Sequence, residues 1–510
     1  MTSGGKLKPE QAIMDIRHYT ISLNLDIAQK SIDGAAVIDL VLSQAAPILV
    51  FDLLNDFTVQ AIFVNGKKTL FTHTNNLINI SPAVPVNAGK ASVRIVYAGK
   101  PHVAVRPPWE DGFTWAADST GHPWVAITSA GTGGKLYFPC KDHPSDEPNE
   151  GVDMIITVPK DLVVAGPGLL QKITRQKNTA TYYWKTNYTI NNYSIIFNVG
   201  DYEVVSKTYT TINGNKVPMQ FYVLKEHAAK GLHHLDVLET MVRVKEKYFG
   251  EYPWVKEKIG LAETPHLGME HQSMNAYGNH FKYTQVGGQD FDWLMNHEFG
   301  HEWWANKVTA KDWADYWIHE GIGSFGDVLY TRDVEGEEAY IKHFKQSIFS
   351  IANIKPVVIG KDIDEEAAYH NDIYSKGAFF MHTLRYVIGD SIFFPTLKKL
   401  STDQQYTYNN MVNTDDVEAL FSKESNTNLK PLFNLYLRTV NKLEIHITAM
   451  TGNRYSLQLL NIDIPLPVDI VTDKGSQRII LNAKKETIII SNILPQVDPD
   501  TYYIKKIIIE

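Results

Sequence analysis

Residues 291–308 read FDWLMNHEFGHEWWANKV. The apolar spacing predicts one helix over this stretch, with Asp290 or Asp292 placed to cap its start. Residues four apart on a helix lie one above the other on the same face. His297 and His301 can therefore aim imidazole nitrogens at one ion, and neutral imidazole suits zinc. Glu298 follows His297, offset by about a quarter turn, where it can reach a water beside that ion. A catalytic zinc usually takes three protein ligands, keeps a position for water and lowers that water's pKa to roughly 7. The third ligand is expected from a second helix packed on the first, and Glu320, in YWIHEGIGSF (316–325), is the candidate. The competing reading is that both histidines are satisfied core residues.

Outward from this stretch, the 510 residues exceed a single hydrophobic core and predict two to four domains. The net charge of −8 is mild and spread out, which argues against a nucleic-acid partner. One cysteine, Cys140, excludes an intrachain disulfide and a thiolate zinc cluster, so any metal must be held by histidine and carboxylate. No apolar run reaches the ~18–20 residues of a membrane helix. The start, MTSGGKLKPEQ, lacks the apolar core of a signal peptide, so the sequence as it stands implies a cytoplasmic chain. Removal of a leader would make it periplasmic or secreted.

The hydrophobic period changes twice along the chain. HYTISLNLDI (18–27) and ASVRIVYAG (91–99) alternate, and Asn65-Gly66 and Asn213-Gly214 signal hairpin turns. Residues 100–150 read as loop. From Glu226 to about 440 helical spacing dominates, as in 227–249, 376–389 and 415–425. After Leu443 the period returns to two in LEIHITAM, YSLQLLNI, RIILNA and ETIIISNI. The expected architecture is multidomain α+β: an antiparallel β domain over 1–205, a mainly helical catalytic domain over 206–440 and a small β-sandwich-like domain over 441–510.

Several segments resemble the gluzincin aminopeptidases, the family of aminopeptidase N and leukotriene hydrolase. HEFGH, 18 residues and then Glu320 is that family's spacing. HEWWANKVT (301–309), DWADYWIHEG (312–321), HLGMEHQSMNAYG (266–278), AAYHNDIYSKGAFF (367–380), FPCKDHP (138–144) and NYSIIFNVGDYE (192–203) follow in family order. The resemblance implies a thermolysin-like catalytic domain and a zinc-dependent aminopeptidase acting on peptides with a free N-terminus. His297, His301 and Glu320 would hold one zinc ion, with Glu298 as general base. Glu270 would bind the substrate's α-ammonium, Tyr374 would donate to the oxyanion, and Tyr369 would accompany it in binding substrate. His319 reads as a neighbour that points elsewhere, and Asp315 as the group holding a ligand histidine. His266, His271 and His370 are candidates to line the cleft. His233, His234 and His343 are expected on helix surfaces, and Trp303 and Trp304 in the core behind the metal helix.

The sequence departs from the family in three places. His271 stands where the family's G-A-M-E-N has asparagine, and Leu267 where it has the first glycine. Ala130, in AITSAGTGGKLYFPC (126–140), replaces the usual Glu or Gln that gives the ammonium a second anchor. The chain also resembles short bacterial-type members without the C-terminal helical domain, which implies an open cleft, or one covered by a partner or by a second copy in a homo-oligomer. Release of dipeptides, a non-peptidase hydrolysis and a binding scaffold remain the alternative activities.

Overall fold

The computed structural model describes residues 2–510. The alternation at 18–27 lies within a long strand, Met14–Asp26, which buries Tyr19, Ile21 and Leu23 on one face. It pairs antiparallel with Ser31–Leu42 and parallel with Val152–Pro159 in a ten-stranded sheet. Asn65 and Gly66, both at positive φ, turn the hairpin between Phe57–Val64 and Lys67–Thr74. The stretch expected as loop, 100–150, contains a hairpin of its own. Gly112–Ala117 pairs with Pro123–Thr128 in a four-stranded sheet. These strands are short and lie between Pro107-Pro108 and the glycines at 131–134, so few residues carry their alternation. Both sheets share one apolar core, which includes Phe51, Ile127, Tyr137 and Phe138.

The helical middle is entered through strands. Tyr202–Thr210 pairs antiparallel with Lys216–Leu224, and helix α1 (Ala228–Phe249) crosses back to Ile259–Glu263, parallel to the second of these. Gly268–Met269 and Asn275–Tyr277 complete a five-stranded sheet with Gly268–Met269 at its edge. His234, expected on the surface of α1, is fully buried against Phe221, Tyr277 and Phe281. It lies on the stripe formed by Gly231, Leu235 and Leu238, and Tyr283 satisfies its Nδ1 at 2.9 Å.

Helix α2 (Trp293–Gly300) is shorter than the spacing suggested. Asp292 is its cap, accepting from the amides of Leu294 and Met295 at 3.1 and 3.2 Å. Beyond His301 the chain turns, with the Asn306 amide bonded to His301 O and Ala305 at φ +142. Glu302, Trp303 and Trp304 are consecutive and all fully buried. A continued helix would carry three successive side chains around its circumference, and their common burial overrides helix propensity.

Helix α3 (Trp317–Glu335) crosses helix α4 (Ser375–Ile388) at two glycines. A Cβ on Gly321 would stand 2.8 Å from Gly377 Cα. The C-terminal strands form two sheets, one around Leu443–Met450 and Arg454–Leu459, the other around Leu466–Thr472 and Gly475–Leu481. They share the helical region's core, and Tyr502 stacks on Tyr386 of α4 at 3.8 Å. The chain is thus multidomain α+β in the order β, helical, β.

Candidate active site

Helix α2 presents His297 and His301 toward α3, which presents Glu320. One ligand atom from each lies within 4.8 Å of the others. The two Nε2 atoms are 3.3 Å apart, and Glu320 Oε2 stands 3.4 Å from that of His301 and 3.7 Å from that of His297.

The rings are fixed from behind. His301 Nδ1 donates to Trp304 O at 2.8 Å, and His297 Nδ1 lies 2.7 Å from Asp327 Oδ2. Both Nδ1–H groups are thereby committed, so both Nε2 atoms offer lone pairs to the space beside Glu320. Glu320 Oε2 is buried without a hydrogen-bond partner. Three acceptors facing one another in a buried space fit a cation, and two imidazoles with one carboxylate are a zinc-type donor set.

Asp327, rather than Asp315, holds the histidine. Asp315 accepts from the amide and hydroxyl of Thr414 instead, at 2.9 and 2.6 Å. Asp327 also accepts from Asn296 Nδ2 at 3.0 Å and faces the buried Lys245 ammonium at 3.5 Å. It falls seven residues after Glu320, two turns along the same face of α3, and that spacing is the signal that could have found it. Burial works against a charged His297, but Asp327 pushes its pKa up to about 10, so a cation entering the site would displace a proton from its Nε2. His301 is pushed down to about 4 by burial and by its charged neighbour.

Glu298 lies against the edge strand, since a Cβ on Gly268 would stand 2.9 Å from its Oε1. Burial, with the carboxylates of Glu270 and Glu320 nearby, pushes its pKa well above the ordinary range. Tyr374, at the start of α4, has its hydroxyl near the Glu320 carboxylate, and its ring centre is 6.2 Å from that of His297. The Tyr369 hydroxyl is 3.5 Å from that of Tyr374. Glu270 is 7% exposed, and its carbonyl is held by Asn306 Nδ2 at 2.8 Å.

Glu302 stitches the edge-strand loop to the metal helix. It accepts from Trp254 Nε1, the Ser273 amide and Asn275 Nδ2 at 2.6, 3.0 and 3.0 Å. Neither Glu302 nor Asn306 was singled out from the sequence. Of the remaining histidines, His319 turns away, with Nε2 accepting from the Ala310 amide at 2.8 Å. His271 is buried and directs Nε2 to Ser129 O at 3.1 Å, while His266 is buried with neither ring nitrogen bonded. Neither they nor His370 join the converging group.

A His-Glu-x-x-His pair at the end of one helix with a distal glutamate on the next is a donor set that could hold a metal ion. Residues 233–436 match the peptidase family M1 domain. The tricorn protease-interacting factor F2 of Thermoplasma volcanium is 22% identical over 374 residues, 68% of this chain and 45% of that protein. The leukotriene A-4 hydrolase of Xenopus laevis is 22% identical over 436 residues, 80% of this chain and 68% of that protein. The chain therefore spans less than half the length of the first relative and about two thirds of the second. In fold it resembles the M1 zinc metallopeptidase from Deinococcus radiodurans, with a TM-score of 0.67, 21% identity, and 83% of this chain and 93% of that one covered.

Proposed function

We propose that the protein is a zinc-dependent aminopeptidase that hydrolyses the first peptide bond of peptides with a free N-terminus. The observation that carries this reading is the buried convergence of His297, His301 and Glu320, with Glu298 beside them. Those three residues would hold one zinc ion. When bound, zinc supplies a Lewis acid that polarises a carbonyl and makes water more acidic.

Glu298 takes the proton of the attacking water and passes it to the leaving amine. Glu270 pairs with the α-ammonium, which sets the first peptide bond, rather than a later one, beside Glu298. The Tyr374 hydroxyl donates to the oxyanion of the tetrahedral intermediate, and Tyr369 borders the bound substrate. Gly268–Met269, as an edge strand, has backbone groups to which an extended peptide can add. No helix among the described residues is long and apolar enough to cross a membrane.

Ala130 favours a second reading, release of dipeptides, because a weaker hold on the ammonium would let the substrate slide by one residue. Mass spectrometry of products from one peptide, offered free and N-acetylated, separates the two. Single residues lost from the free peptide only, and not by Glu298→Gln, is the expected result. Dipeptide release or equal cleavage of the acetylated peptide would overturn it.

A further inference from the structure

The apolar stripe of α1 is interrupted by a lysine. Leu238, Val242, Lys245 and Phe249 follow one another at helical spacing, and all four are buried. Lys245 is 2% exposed, and its Nζ has no hydrogen-bond partner among the described residues. The adjacent buried acid, Glu246, differs. It accepts from the Tyr209 hydroxyl and from the amides of Ile212 and Tyr252 at 2.6, 2.9 and 2.8 Å. Lys245 has a single ionic partner among the described residues, Asp327 Oδ1 at 3.5 Å. Gly300, in the last turn of α2, leaves it room, since a Cβ there would stand 3.1 Å from Nζ. A leucine or methionine would fill the same stripe without burying a charge, and such replacements are often as stable as a buried ion pair. What the lysine adds is positive charge beside Asp327.

Through Asp327 that charge reaches the metal group. Asp327 Oδ2 lies 2.7 Å from His297 Nδ1, while Oδ1 faces Lys245 and accepts from Asn296 Nδ2 at 3.0 Å. Lys245, Asp327 and His297 thus form a line from α1 through α3 to α2 that ends where His297, His301 and Glu320 converge. A carboxylate behind a ligand histidine orients the ring and makes it a stronger donor. An ammonium behind that carboxylate leaves the orientation and offsets the charge. The offset has a use here, because Glu298 already feels the charges of Glu270, Glu320 and Asp327.

We infer that Lys245 is a positioning residue of the metal centre. It tempers the carboxylate behind His297, so that the ring is oriented without adding a full negative charge to a space that gathers Glu270, Glu298 and Glu320. The centre thereby gives up part of its affinity for the metal. This assignment rests on the zinc reading above.

The test measures the zinc affinity of the full chain by competition with a chelating dye at one pH. Lys245→Met should bind zinc more tightly, by up to about tenfold, the order of a unit charge acting on a divalent ion across two side chains. Loss of a merely structural contact would loosen the zinc, so the direction of the change separates the two roles. An unchanged or weaker affinity would overturn the assignment. If Lys245→Met does not fold, Asp327→Asn with and without Lys245→Met decides. The double variant should bind zinc more tightly than Asp327→Asn alone, because no unpaired ammonium is left beside the site. An equal or weaker affinity in the double variant would overturn the assignment in the same way. A parent chain that binds no zinc would overturn the zinc reading, and the assignment with it.

Discussion

The proposed metal end and the proposed amine end of this cleft are built by different means. At the proposed metal end, His297 and Glu298 come from one helix, His301 from its C-cap, and Glu320 and Asp327 from the next helix. Each ring is locked by a hydrogen bond within the same pair of helices or the turn that follows. At the proposed amine end, Asp111, Ala130 and Glu270 come from distant parts of the chain. They are tied in by side-chain-to-backbone hydrogen bonds across loops, Asp111 accepting from the Ala130 amide, His271 Nε2 reaching Ser129 O and Asn306 Nδ2 donating to Glu270 O. A helix pair fixes chemistry to a small tolerance, whereas a loop cluster exchanges one side chain for another without disturbing it.

This contrast predicts that damage at the metal end appears in metal content and kcat, and damage at the amine end in KM and in discrimination against blocked peptides. Glu298→Gln should show the largest effect, a loss of about 10²–10⁴ in kcat with zinc retained by elemental analysis. A variant that keeps its rate would remove Glu298 from the chemistry. Replacing His297, His301 or Glu320 by Ala should leave the purified chain short of stoichiometric zinc, and a strong chelator should silence the parent reversibly.

Asp327→Asn should weaken zinc binding by about 10–100-fold in competition with a chelating dye, because the carboxylate behind His297 is lost. Asp315→Asn should leave that affinity alone, since its partner is Thr414. Equal losses in the two would dissolve the distinction drawn between them. Gly377→Ala comes next in size. It forces α3 and α4 apart at Gly321, costing about 1–3 kcal/mol by overpacking, and should lower kcat by moving Tyr374 from Glu320. Thermal unfolding and steady-state kinetics on one preparation check both effects.

The smallest effect lies away from the cleft. His382 is buried between Phe344 and Tyr502, and burial, with Arg385 beside it, lowers its pKa to about 3. Between that value and the unfolded value near 6.5 only the unfolded chain takes up a proton. Stability therefore falls as pH drops through 6.5, by up to ~1.4 kcal/mol per pH unit for this ring. His382→Gln should flatten that slope in urea unfolding at pH 7.5 and 5.5 without changing zinc content. An unchanged slope would mean that the ring is charged in the folded chain.

Reading the sequence reached furthest where partners are close in sequence or carried by a compact pattern. The alternation at 18–27, the turn at Asn65-Gly66 and the cap at Asp292 all depend on neighbours a few residues away. So does the i, i+4 pair His297 and His301. Glu320 was legible because its spacing resembles that of a known family. Helix α2 was read too long because the pull of a core on Trp303 and Trp304 has no local signature. His234 was placed on the surface because its polarity outweighed its position on the apolar stripe of α1. Asp315 was named from its place in the motif, and Asp327, on the face of α3 that carries Glu320, was not singled out.

By itself, then, the sequence determined the order of β, helical and β regions and the residue types able to hold a metal, because periodicity and i, i+4 geometry are properties of the local backbone. Tertiary structure alone decided which carboxylate stands behind His297 and which buried cation faces that carboxylate. Those contacts join residues such as Lys245, Asp327 and His297, and only the packing of one part of the chain on another brings them together.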